Sequence, residues 1–273
     1  MTTTIRRFRE LHEAGCFVMP NPWDVGSARA LAGLGFPALA TTSAGFAWSI
    51  GRSDNGVTLA DALAHLRAVS AAVAVPVNAD FEGGFAVSPE GVHANVGAAI
   101  ATGIAGLSIE DSTGNTAAPL FDFTLAVERI RAARRALDEA GSGVVLTGRS
   151  EGFITGRPDL HETVRRLSAY AEAGADCLYA PGVRDAAQIA VIVRALAPRP
   201  VNVLVSGDYA TGSALAEAGV RRSSVGGALA RAAWTGFLRA AAEIATLGTF
   251  MGLSGGIASS EIERTMTAAS EPR

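Results

Sequence analysis

Residues Val144–Pro181 read VVLTGRSEGFITGRPDLHETVRRLSAYAEAGADCLYAP, and the spacing predicts one complete β–α–β unit. Val144–Arg149 is a short, mostly apolar run of the kind buried on both faces, and Leu160–Ala173 is an amphipathic helix. Ala173-Gly174 is a natural place for that helix to stop, and Cys177–Pro181 returns as a second strand. The same alternation recurs outward in both directions. Further strands are predicted at Phe17–Pro20, Ala38–Ser43, Val75–Asp80, Gly106–Asp111, Val201–Ser206 and Arg222–Val225. Helices are predicted at Leu59–Ala72, Phe123–Ala140 and Ala186–Leu196, and Ala32-Gly33, Ala140-Gly141 and Ala218-Gly219 mark further helix ends. Apolar strands separated by helices imply a parallel sheet covered on its outside, and eight such units in about 230 residues match a closed (β/α)8 TIM barrel. A Rossmann-type open sheet is the alternative, but no G-x-G-x-x-G follows a strand.

Residues 1–273 thus read as a single α/β barrel domain with extra C-terminal helices. Leu229–Leu247 is helical, Met251–Gly256 breaks it and Ile257–Ala269 resumes. This arm, about residues 240–273, either folds on its own barrel or is exchanged between subunits of a homo-oligomer, a dimer or tetramer. The chain is 49% hydrophobic with a net charge of −3, which argues for a globular protein and against nucleic-acid or anionic-membrane partners. No apolar run is long enough to span a bilayer, and Met1–Glu10 does not read as a signal peptide. Cys16 and Cys177 have no metal-site spacing and suggest a reducing cytoplasm. All 23 basic residues are arginine, so Schiff-base lysine chemistry is excluded.

In a barrel the loops that follow the strands build the active site. Strand two runs into Thr42-Ser43-Ala44, strand three into Asp80-Phe81-Glu82-Gly83-Gly84 and strand four into Glu110-Asp111. Strand five runs into Arg149-Ser150-Glu151, while strands six and seven add Tyr179 and Asn202. Asp80, Glu82 and Glu110 fall on adjacent strand ends near one strand-end arginine, Arg149. Carboxylates gathered so closely repel one another unless a cation sits among them. Oxygen ligands without His or Cys suit Mg²⁺, or else Mn²⁺. His12, His65, His93 and His161 fall on helices or helix starts and read as surface residues, which argues against zinc. Asp24, Asp54 and Asp111, taken singly, read as turn or helix caps. Glu151 is either a member of the site or simply an ion-pair partner of Arg149.

Four segments carry a resemblance. Asp80-Phe81-Glu82-Gly83-Gly84-Phe85 resembles the D-x-D-x-G-[YF]-G signature of the isocitrate lyase/phosphoenolpyruvate mutase family. Ser108-Ile109-Glu110-Asp111 is similar to its I-E-D, Gly148-Arg149-Ser150-Glu151 to its A-R-x-E and Gly51-Arg52-Ser53-Asp54 to its G-x-x-D loop. The order and spacing agree from about Phe8 to beyond Leu229. The resemblance implies that Asp80 sits closest to Mg²⁺ while Glu82 and Glu110 hold metal-bound waters. It implies that Arg149 grips an anionic substrate, that Thr42, Ser43 and Ala44 clamp a carboxylate and that Asp54 closes the far side, with Arg149 and Asp54 as the catalytic candidates. Asn202 joins the substrate-binding candidates.

The departures narrow the expected chemistry. Glu82 stands where the family has Asp, and Ala86 where the signature ends in Gly. Ser112–Leu120 reads STGNTAAPL and lacks the cysteine of the lyase branch. Pro181 occupies the position of the strand-six histidine of the mutase branch. The expected activity is therefore a Mg²⁺-dependent lyase acting on a small 2-oxo or 2-hydroxy di-acid through an enolate, such as decarboxylation of an oxaloacetate-like substrate. The alternatives are a P–C bond enzyme of the phosphonopyruvate type and a non-catalytic binder of 2-oxo acids. A phosphate-binding barrel using Val225-Gly226-Gly227 is a further alternative, though Gly226-Gly227 reads more simply as close packing.

Overall fold

A computed structural model describes residues 1–268. Eight parallel strands stand in the order β1-β8-β7-β6-β5-β4-β3-β2. They are β1 Phe17–Met19, β2 Leu39–Ala40, β3 Val77–Asp80, β4 Gly106–Glu110, β5 Val145–Arg149, β6 Cys177–Tyr179, β7 Val201–Leu204 and β8 Arg222–Ser224. The ends of the row meet through the Ala40 amide, which donates to Pro20 O at 3.0 Å, and through Asn21 Nδ2, which donates to Thr41 O at 2.9 Å. Asn21 Oδ1 accepts from the Val225 and Gly226 amides, both at 2.8 Å, so one side chain stitches β1 to both neighbours. The expected barrel is what forms.

Each strand is followed by helix because local sequence sets the start and stop. The helices are α1 Thr3–Leu11, α2 Val25–Gly33, α3 Ser43–Ser49, α4 Leu59–Ala72, α5 Pro89–Ile100, α6 Phe123–Glu139, α7 Leu160–Glu172, α8 Ala186–Leu196, α9 Gly212–Glu217, α10 Ala228–Leu247 and α11 Ser259–Ala268. Thr58 and Asp61 form a reciprocal capping box on α4, and the Asp24 carboxylate caps α2 through the Ser27 amide. Gly141, Gly174 and Gly219 take the left-handed conformation just beyond helix ends, where a side chain would be strained. Gly33 does not: α2 runs through it, and Gly35, at φ +87°, makes the turn.

One difference from the sequence reading reaches the site. The expected strand Ala38–Ser43 is cut to Leu39–Ala40, because Thr42 caps a new helix through its Oγ1, which accepts the Gly45 amide at 3.3 Å. Ser43 therefore opens α3 rather than closing a strand. At the opposite end of the barrel, α1 packs Phe8 wholly buried beside Gly106, whose lack of a Cβ makes room for the ring.

After β8, α10 ends at Gly248, a 3₁₀ turn spans Met251–Leu253, and α11 packs against α2 of its own chain. Ala269, the expected end of that last helix, lies outside the described residues, as does the rest of the arm to residue 273. Among the described residues of α10 only Ala230 is buried, while Trp234, Phe237, Leu238 and Leu247 stand exposed. Among the described residues no helix is long and apolar enough to cross a membrane.

Candidate active site

Arg149, at the end of β5, organises the mouth of the barrel. Its Nη1 donates to Asp80 Oδ1 at 2.9 Å and lies 3.3 Å from Glu110 Oε2, and its Nε donates to Glu151 Oε1. Glu151 is thus an ion-pair partner of Arg149 at the mouth. Burial works against the Arg149 charge, yet Glu151, Glu110 and Asp80 outweigh it and hold the guanidinium protonated. The second oxygen of Asp80 accepts both the amide and the hydroxyl of Ser43, each at 2.9 Å. Strand three and the first turn of α3 are thus tied through one carboxylate.

The carboxylates outnumber the cation. Asp54, Asp80, Glu82, Glu110 and Glu151 surround a single guanidinium, and four of them are pushed toward the protonated form. The Glu82 pKa is pushed up to about 7, by burial first and then by Asp80 and Asp54. Burial dominates at Glu110 and Glu151 as well, and at Asp54 loss of hydration is followed by repulsion from Asp80. Such shifts mark a place where negative charge is concentrated on purpose or paired with something cationic.

One cavity of about 160 Å³ gathers Thr42, Ser43, Ala44, Asp54, Asp80, Arg149 and Asn202, every residue expected to touch substrate. Glu82 and Glu110 line an adjoining, more open cavity of about 520 Å³ with Asn55 and the Ser112–Asn115 segment. Among the described residues no three of the His, Cys, Asp and Glu side chains are set as a ready-made metal cage. The donor set nevertheless fits a hard dication. It is all oxygen, it carries an excess of negative charge, and Glu82 Oε1 is buried with no hydrogen-bond partner. Mg²⁺ needs only one or two protein carboxylates and keeps several waters.

The loop that carries Glu82 is under backbone strain. Glu82 at φ +46° and Phe85 at φ +54° are non-glycine residues in the left-handed region, with Gly84 at +73° between them. Arg129, buried on α6, holds this shape: it donates to the carbonyls of Gly83, Ala86 and Glu110 and stacks on Phe121. The acidic residues were legible in the sequence, but Arg129 was not, because on a helix repeat it reads as one more solvated charge.

Asp111 also departs from its reading as a turn cap. It is 2% exposed and accepts from the Glu151 amide at 2.8 Å, Tyr170 Oη at 2.7 Å and Arg166 Nη1 at 3.2 Å. It fixes β5's end to α7 beneath the mouth. A Tyr170→Phe variant should lose about 1.5–3 kcal/mol of stability, as expected for a buried hydrogen bond to a charged acceptor. Urea unfolding measures this; a loss within about 0.5 kcal/mol would show that Arg166 and the amide satisfy Asp111 unaided.

Two of the four histidines are not on the surface. His12 packs edge-on between Phe8 and Phe17, and burial and then Arg222 bring its pKa down to about 3. His65 stacks on Phe46 at 3.9 Å between ring centroids, and burial brings it to about 4. His161 is exposed and His93 faces Glu139. Arg149 remains the arginine at the end of a strand, but it is not alone in the cavity. Arg222, the first residue of β8, lines the 160 Å³ cavity too.

Residues 8–245 match the family described as phosphoenolpyruvate phosphomutase. A structure from Burkholderia cenocepacia J2315, assigned only provisionally as a lyase/mutase, is 45% identical, with a TM-score of 0.93 over 97% of this chain and 96% of that one. 2,3-Dimethylmalate lyase, a PEP mutase/isocitrate lyase superfamily member, is 27% identical, with a TM-score of 0.87 over 97% of this chain and 95% of its own. Oxaloacetate acetylhydrolase in complex with its product oxalate is 25% identical, with a TM-score of 0.87 over 97% and 94%.

Proposed function

The chain belongs to the PEP mutase/isocitrate lyase superfamily, an enzymatic one, and from there we propose that it is a Mg²⁺-dependent carbon–carbon lyase of small 2-oxo or 2-hydroxy di-acids. The reaction we favour is decarboxylation of an oxaloacetate-like substrate. The observation that carries this reading is the convergence of the Thr42–Ala44 turn, Asp54, Asp80, Arg149 and Asn202 on one small cavity. Two of the similar structures, 2,3-dimethylmalate lyase and oxaloacetate acetylhydrolase, are named for small dicarboxylates, which is consistent with it.

Asp80 would hold the metal most closely, with Glu82 and Glu110 reaching it through water. Bound there, Mg²⁺ would supply Lewis-acid stabilisation of a developing enolate oxygen. The chain's own groups do the rest. Ala44 lies in the first turn of α3, so its amide has no acceptor within the helix and is suited to a carboxylate, while the Ser43 amide and hydroxyl are taken by Asp80 Oδ2. Arg149 stays charged; its Nε and Nη1 are taken by carboxylates, which leaves Nη2 for an anion, and Asp54 closes the rim. Loss of CO2 leaves its electron pair on the substrate, so no dedicated base is required.

The loop after β4 supports this choice. Ser112 bridges Leu120, and the Thr113 amide donates to Pro119 O at 3.0 Å, so the segment closes on itself and brings no cysteine, lysine or histidine. Pro181 follows the end of β6, where the mutase branch has its histidine. Oxaloacetate should therefore turn over in Mg²⁺ well above a metal-only blank, while isocitrate, 2-methylisocitrate and phosphonopyruvate should not. Efficient cleavage of 2-methylisocitrate sinks the reading, because it demands the loop cysteine that Ser112–Leu120 does not carry. Saturable binding of 2-oxo acids without turnover would make the protein a binder instead.

We further propose a cytoplasmic homo-oligomer, a dimer or tetramer, in which the exposed Trp234, Phe237 and Leu238 of α10 are covered by another subunit. Light scattering of the purified chain tests this; a monomer at micromolar concentration rejects it.

A further inference from the structure

The two arginines that line the 160 Å³ cavity are held in opposite ways. Arg149 is ringed by Asp80, Glu110 and Glu151. Arg222, three strands away in the ring, is 1% exposed, and its recorded partners are all neutral. Its Nε donates to Asn202 Oδ1 at 3.1 Å and its Nη2 to Thr147 Oγ1 at 2.9 Å. Its Nη1 lies 3.2 Å from His12 Nε2. His12 Nδ1 sits 2.7 Å from Phe8 O, a contact that requires the proton on Nδ1 and leaves Nε2 as an acceptor. Acceptors from β7, β5 and the end of α1 thus fix the guanidinium without cancelling its charge.

A buried cation with no counter-charge is destabilising by several kcal/mol, so its persistence calls for a physical reason. Arg129, the other large buried arginine without a carboxylate, directs its donors at three backbone carbonyls and serves as a loop strut. Arg222 has no such set. Of the five N–H groups of a guanidinium, three are used, and the remaining two belong to a side chain that lines the cavity. Beside it lie Asn202 and Ser224, whose side chains are joined by a 3.0 Å hydrogen bond, Nδ2 to Oγ. The pocket therefore has one pole where positive charge is saturated and one where it is not.

We propose that Arg222, seated with Asn202 and Ser224, reads the second carboxylate of the substrate, so that the cavity selects di-anionic over mono-anionic 2-oxo acids. This rests on the reading of the cavity as a 2-oxo acid site and adds the residue that sets its specificity. Arg149, already satisfied by three carboxylates, acts at the reacting end, and Arg222 supplies the charge that a mono-acid leaves unmet.

Oxaloacetate and 2-oxobutanoate have the same four-carbon chain and differ only in a terminal carboxylate against a methyl group. Trp48 packs against Gly227 in the cavity wall, so tryptophan fluorescence in a stopped-flow instrument can follow binding to the full chain in Mg²⁺ before turnover. The wild type should favour oxaloacetate by about tenfold or more, as expected of a hydrogen bond to a charged group. Arg222→Met should reduce that preference to near parity while leaving 2-oxobutanoate affinity unchanged. Asn202→Asp, which sets a carboxylate against Arg222 Nε at almost the same volume, should likewise reduce the preference and serves if the methionine variant does not fold. Equal binding of the two acids by the wild type, or an undiminished preference in a folded variant, overturns this inference alone. Absence of binding by either acid to the wild type overturns the reading of the site on which it rests.

Discussion

Replacing Arg149 by methionine is expected to lower the unfolding free energy by about 3–5 kcal/mol at pH 8, and by much less at pH 5. Arg149 is the shared counter-ion of Asp80, Glu110 and Glu151, and the two glutamates are 8% and 3% exposed. Removing it leaves like charges in a poorly hydrated space with nothing to offset them. The pH dependence follows from the direction of the shifts. Burial raises Glu110 and Glu151 above the usual carboxylate range in the folded protein, so folding takes up protons. A carboxyl shifted in that direction contributes stability that is complete below its unfolded pKa and lost as pH rises through its folded pKa. In the wild type Arg149 limits the upward shift; in the variant both groups move further up and the loss extends to higher pH. The deficit relative to wild type should therefore widen from pH 5 to pH 8 in urea unfolding experiments. A deficit independent of pH would show that Arg149 contributes packing rather than charge. Arg149→Lys keeps the charge but not the fork. It should fold and bind substrate about tenfold more weakly, a change of about 1.4 kcal/mol.

What could be read from the sequence, and what could not, divides along physical lines. The barrel was legible because its signals are local: apolar runs such as Gly106–Glu110, buried at every position, and glycines such as Gly174 that stop helices. The acidic strand ends were legible because a parallel barrel sends the residue after each strand to one face. Other features depend on closure of the ring and leave no local trace. Arg222 opens a strand and looks like an edge charge, yet ring closure buries it against Asn202 and Thr147. His12 looks like the last turn of a polar helix, yet that helix plugs the barrel and the ring meets Phe17. Asp111 has the sequence context of a turn cap, and only the packing of α7 brings Tyr170 and Arg166 to it. The misplaced end of strand two has a local cause: Thr42 can either continue a strand or cap a helix, and the cap wins.

Asp80→Ala is expected to reduce metal-dependent turnover of oxaloacetate by on the order of 10²–10³-fold, with stability changed by no more than about 1 kcal/mol. The two halves of this expectation have different causes. Asp80 is the carboxylate that touches both sides of the site: Oδ1 meets Arg149, and Oδ2 meets the amide and hydroxyl of Ser43. Without it the Ser43 turn and the arginine lose their common reference point, and the metal loses the oxygen expected nearest to it. Stability is spared because Arg149 keeps Glu110 and Glu151, and removal of one carboxylate relieves the repulsion that adds to burial in raising Glu82 to about 7. The Mg²⁺ concentration needed for half-maximal activity should rise by about 10–100-fold as well, the range seen when support of a metal is removed. Free metal ions decarboxylate oxaloacetate by themselves, so rates are compared with a metal-only blank at each concentration. A circular dichroism melt of the same sample separates a lost site from a lost fold. If Asp80→Ala melts like the wild type and retains its rate and its metal requirement, the Asp80 carboxylate is only a brace between β3 and α3, and the metal-assisted mechanism has no place in this barrel.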